Sequence, residues 1–132
     1  MRPALVLLAA AVALVTTGCP QDPVPDTIGL YAVTTAPPAR TALLVSTDLD
    51  HHVEMSRGVA LGIGCWDTCK GSCESPTFEV TDTAIATVRP VFRSSGGYPT
   101  WVVVAKTPGT TQLRVANACA EQVYGLTVAD PP

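Results

Sequence analysis

Apolar and polar positions alternate in short stretches along most of this chain, with turn residues between them. Thr110 to Asn117 places Leu113 and Val115 on one face and Gln112 and Arg114 on the other. Gln122 to Val128 does the same with Tyr124, Leu126 and Val128. Val59 to Trp66 sets Val59, Leu61, Ile63 and Cys65 in phase. Period-two alternation of this kind is the mark of a strand with one buried face. Further strands are predicted over residues 28–34, 41–47, 77–80, 85–92 and 100–105, bounded by Pro, Gly and Asp. Asp48 to His52 reads as a polar loop, as do residues 67–76 and 94–99. Beyond the N-terminal apolar run, no stripe repeats at helical spacing. The fold class is all-β, a sandwich of about seven or eight strands.

The N-terminus follows a different rule. Arg2 precedes an uninterrupted apolar run from Ala4 to Val15, followed by Thr16, Thr17, Gly18 and Cys19. That is the signal-peptide layout. The run rises about 18 Å as a helix, too short for a hydrocarbon core of about 30 Å. The segment Val15 to Cys19 resembles the lipobox of bacterial lipoproteins at Gly18 and Cys19 and departs from it at Thr16. The resemblance implies cleavage before Cys19, acylation of that cysteine, and attachment to the membrane through the N-terminal lipid. Residues 1–18 are then the signal peptide, residues 19–27 an acylated, Pro-rich extended tether, and residues 28–132 the folded domain. Pro20 stands where some bacteria place an Asp that retains lipoproteins in the inner membrane, which favours the outer membrane.

Composition narrows the function. The formal net charge is −3 and there are only two lysines, Lys70 and Lys106, so neither nucleic acid nor anionic lipid finds a basic footprint. No nucleophile elbow, metalloprotease helix or phosphate loop occurs, and no enzymatic activity or cofactor is expected. Asp48, Asp50, His51, His52 and Glu54 form a ligand-capable cluster. Adjacent histidines in extended chain point to opposite faces, which argues against shared metal ligation.

Thr81 to Val88 (TDTAIATV) is similar to a segment of bacterial Ig-like group 2 domains. Val104 to Val115 (VAKTPGTTQLRV) and Gly125 to Val128 (GLTV) are similar to two others. Phe78 stands near the place where that family usually has a Trp, and the family usually lacks cysteines. The resemblance implies an immunoglobulin-like sandwich and loosely an adhesive or structural role; it carries no catalytic residues.

Within such a sandwich Cys65 ends strand B and Cys119 follows strand F, at the same pole as Cys69 and Cys73 in the B–C loop. With Cys19 acylated, four cysteines remain, an even set for disulfides in an oxidising compartment. The alternation favours Cys65–Cys119 joining the sheets and Cys69–Cys73 closing a small loop; Cys65–Cys73 with Cys69–Cys119 stays open. Four thiolates could alternatively bind zinc, but the spacing lacks the usual close pairs and no metal is expected. Trp66, Asp67, Lys70 and Glu74 are the candidate contacts of a stapled recognition loop, with Tyr98 and Trp101 as outlying candidates. The partner would be an envelope protein or a glycan. The other expectation is an accessory or structural subunit of a larger envelope assembly, using a sheet edge or flat face. The immunoglobulin-like arrangement also brings the N-terminus to the B–C and F–G pole.

Overall fold

The computed structural model describes residues 25–33, 42–71, 73–91 and 100–132. The expected signal peptide, Cys19, the first part of the expected tether, the 94–99 loop and Tyr98 lie outside the described residues. Nine strands are found there: β1 (Ile28–Ala32), β2 (Ala42–Ser46), β3 (His51–Ser56), β4 (Ala60–Asp67), β5 (Thr77–Val80), β6 (Ala86–Pro90), β7 (Trp101–Ala105), β8 (Gly109–Ala116) and β9 (Glu121–Ala129). They form two sheets, ordered β1-β4-β7-β6 and β2-β3-β9-β8-β5. With β4 as strand B and β5 to β9 as C to G, these are the A-B-E-D and C-F-G sheets of an immunoglobulin-like sandwich, the second extended by β3 and β2.

The alternation read from the sequence forms the core. Leu61, Ile63 and Cys65 of β4 face Leu113 and Val115 of β8 and Tyr124, Leu126 and Val128 of β9, all buried. Burying a side chain of this size contributes about 1.5–3 kcal/mol, so these rows supply much of the drive to fold.

One expectation is corrected. Asp48 to His52 is not simply a loop, because His51 opens β3. Val53 and Met55 are buried while Glu54 is exposed, a period-two pattern hidden behind two histidines. β3 pairs antiparallel with β2 and parallel with β9, His52 opposite Gly125 and Met55 opposite Val128. A turn at Thr47 to Asp50 makes the pairing possible, with Asp50 N donating to Thr47 Oγ1 at 3.0 Å. At the far pole Gly58 takes φ 82° between β3 and β4, a left-handed conformation that glycine adopts without strain.

The two poles differ. The start of β1, the β2–β3 turn, the loop after β4 and the β8–β9 turn share one end; the β3–β4 and β7–β8 turns and the C-terminus share the other. Thr68 N donates to Thr27 O at 3.0 Å, and Thr27 N to Thr68 Oγ1 at 2.9 Å. The chain therefore enters the domain at the pole that carries the cysteines.

Candidate functional site

The four cysteines form two disulfides at this pole, Cys65–Cys73 and Cys69–Cys119, with Cα atoms 5.6 and 6.4 Å apart. The favoured pairing of Cys65 with Cys119 is thus replaced by the open alternative. The cause lies at Asn117. Strand β8 stops at Ala116, and Asn117 Oδ1 accepts the N–H groups of Cys119 at 2.9 Å and Ala120 at 3.0 Å. This side-chain cap bends the chain into a turn, so the strand alternation does not carry through to Cys119. Cys65 is buried as its phase requires, and Cys73 returns into the core to meet it. Cys69 lies on the exposed turn and ties the loop to the β8–β9 turn.

Asp67 anchors the same junction. It is buried; its Oδ1 accepts Lys70 N at 2.8 Å and its Oδ2 accepts Asn117 Nδ2 at 2.7 Å. The Lys70 N–H holds the Asp67 carboxyl below its ordinary value, burial works against this, and the Asn117 amide adds to the lowering. Asp67 therefore acts as an internal cap, buried while Trp66, Lys70 and Glu74 stand exposed. Asp67, Cys69 and Cys119 bring three potential metal ligands within 4.8 Å of one another, but the two sulfurs are bonded to each other. Lys70 and Glu74 are exposed and engage one another, Nζ to Oε2 at 2.6 Å, which raises the Lys70 ammonium above its ordinary value. A pair so exposed contributes little to stability.

Trp66 behaves differently. It alternates outward from β4 and is 40% exposed. Its register partner is Gly29 of β1, and a Cβ built there would lie within 3.0 Å of the indole ring. The next rung repeats the arrangement in reverse, with Tyr31 of β1 lying over Gly64 of β4. Two aromatic rings thus rest on a glycine-paved sheet face instead of standing off it. Trp101, the outlying candidate, points inward and packs on Phe78 with ring centroids 4.5 Å apart. It belongs to the core.

The sequence reading did not anticipate the cleft beside Trp66. About 510 Å³ opens between the start of β1 and the β2–β3 turn, lined among others by Asp26, Thr47, Asp48, His51, Trp66 and Gln122. His51 points inward and meets Tyr124 edge-on at 5.2 Å, whereas His52 points outward with Nδ1 2.7 Å from Asp50 Oδ1. The two histidines do lie on opposite faces. The only earlier signal of the cleft was the polar stretch at residues 48–52, but its approach to Trp66 depends on the β3 pairing.

The outward faces of the two sheets differ in charge. Beyond Trp66 and Tyr31, the β1-β4-β7-β6 face presents Gly62, Val102 and Val104, with Arg89 of β6 as its charged residue. The opposite sheet presents Glu54, Glu79, Arg114 and Glu121, with Arg114 paired to Glu121 at 2.6 Å and to Glu79 at 3.7 Å. Comparison with protein-family models, curated proteins and solved structures finds no match for this chain.

Proposed function

We propose that this chain is a lipid-anchored, non-catalytic cell-envelope protein whose immunoglobulin-like domain binds an envelope protein or glycan through the cleft beside Trp66. The supporting observation is the contrast between the two outward faces. One is charged and cross-linked by ion pairs; the other, among the described residues, carries Arg89 as its charged side chain and holds two exposed aromatic rings, Trp66 at the mouth of a cleft and Tyr31 beside it on the sheet. Exposed aromatics in a largely uncharged surface are a recurrent mark of recognition sites. The disulfides fit this reading by fixing the loop beside the site. The lipobox resemblance at Cys19 and the likeness to bacterial Ig-like group 2 segments fit an anchored envelope module.

Two measurements test the proposal. A full-length chain made in a bacterium incorporates labelled fatty acid, and Cys19→Ser abolishes the label; persistence of the label in that variant would refute the anchor. The unacylated Cys19→Ser chain is retained on washed envelope fragments, and adding Trp66→Ala releases it. An accessory role is the second reading, favoured by β2, a sheet-edge strand whose Leu43 is 50% exposed. In that case Leu43→Glu, and not Trp66→Ala, releases the chain.

A further inference from the structure

We infer that the occupant of the cleft is a neutral pyranose glycan stacked on Trp66. This deepens the binding reading above and rests on it.

The geometry of the ring is the first argument. Because Gly29 has no Cβ, the indole settles onto the backbone of β1, with its outer side open to solvent. A ring held in this way offers a flat, pre-ordered apolar platform, and little side-chain freedom is lost when a ligand covers it. The apolar C–H face of a pyranose matches such a platform. Tyr31, seated on Gly64 one rung further along, extends it in the direction a second sugar would take.

The lining is the second argument. A sugar needs hydrogen-bonding groups around its rim, and the cleft supplies Asp26, Thr47, Asp48, Thr68 and Gln122. Its volume of about 510 Å³ falls in the usual range for small-ligand sites. Among the described residues the lining contains two carboxylates and neither Lys nor Arg, which disfavours phosphate, sulfate and uronic acid ligands.

Two other occupants fit less well. A lipid surface would meet rings lying flat instead of protruding, beside carboxylates that repel anionic headgroups. A peptide adding a strand at the β1 edge would need its outward N–H groups. Leu30 N already donates to Tyr124 Oη at 2.9 Å, and Ser46 Oγ lies 3.4 Å away, closing that edge against β2.

The test uses the full-length Cys19→Ser chain. It is titrated with tetrasaccharides of glucose, galactose, mannose and N-acetylglucosamine, and with a sulfated tetrasaccharide, while tryptophan emission is followed. The chain has two tryptophans; Trp101 is half-buried against Phe78 and does not line the cleft, so a saturable change that persists in Trp101→Phe reports Trp66. At least one neutral sugar produces that change, and the sulfated one does not. By isothermal titration calorimetry, which needs no tryptophan reporter, Trp66→Ala abolishes the binding and Trp66→Phe weakens it about tenfold, while Lys70→Ala leaves it intact. Gly29→Ala also weakens it by lifting the ring, with the melting transition retained. Binding that survives Trp66→Ala would overturn the assignment. So would the absence of any neutral-sugar binding while envelope retention still depends on Trp66; the occupant would then be a protein and the binding reading would stand. Loss of both would overturn the two together.

Discussion

Asp67 and Asn117 meet across the sandwich, the Asn117 amide donating to the Asp67 carboxylate at 2.7 Å from the turn that the same side chain caps. One residue ends strand β4 and the other follows β8, so this contact fixes how the two sheets sit at the cysteine pole. It rests on an ionised acid. Asp67 titrates below its ordinary value of 3.8 in the folded chain. Its contribution is therefore fully present above that value and is lost as pH falls through the lowered one. Asp67→Asn flattens this acid limb: the melting temperature of the wild type drops as pH falls below about 4, and that of the variant drops less. Parallel acid limbs would show that Asp67 has no such role.

Tyr124 provides the alkaline counterpart. Its hydroxyl donates to or accepts from Ser46 Oγ at 2.7 Å, accepts Leu30 N, and joins β9, β2 and β1 at one point. Burial pushes its titration above the ordinary 10.0, with the bonds to Ser46 and Leu30 opposing. The neutral phenol is the form the fold prefers, so its contribution holds below pH 10 and fades as pH rises through the raised value. Tyr124→Phe costs about 1–3 kcal/mol at neutral pH by orphaning its partners. The same change removes part of the alkaline loss, both measured by denaturant titration.

The two disulfides close loops of different length, with sequence separations of 8 and 50. In the chain-entropy model the shorter contributes roughly 2.5 kcal/mol and the longer about 4. Replacing Cys69 and Cys119 by Ser therefore lowers the unfolding free energy more than replacing Cys65 and Cys73, unless the buried serines of the second variant add their own desolvation cost. Peptide mapping without reduction recovers Cys65 linked to Cys73 and Cys69 to Cys119. A Cys65–Cys119 peptide would contradict the structure.

Gly64→Ala forces the added methyl into the Tyr31 ring and costs about 1–3 kcal/mol by overpacking. Adding Tyr31→Ala relieves the collision, so the double variant is more stable than the sum of the two single effects by about 1 kcal/mol. Additivity would mean that Tyr31 does not rest on Gly64.

Much of the sandwich was legible because its strands alternate strictly. Leu61, Ile63, Leu113, Val115, Tyr124 and Leu126 fall on the predicted inner faces. β3 was not, because His51 and His52 mask the Val53 and Met55 alternation, and its strand identity depends on pairing with β9, far along the chain. The cysteine pole was found, but its connectivity was not, since extending the β8 phase to Cys119 ignored the turn that Asn117 imposes. Trp66 was singled out as a candidate contact. Its seat on Gly29 follows from the β1–β4 register, which local sequence does not encode.

The knot of bonds between Thr27 and Thr68 has a mechanical consequence. For a chain tethered at Cys19 and gripped at Trp66, tension enters at Thr27 and leaves through the Gly29–Trp66 rung, two residues on. The load path is short and lies at one end, beside two covalent cross-links, so the rest of the sandwich is left unstressed. A pull between Thr27 and Asp130 would instead run the length of the domain and shear its sheets. With the proposed anchor and grip, a domain under flow bears its load at the end where the chain enters.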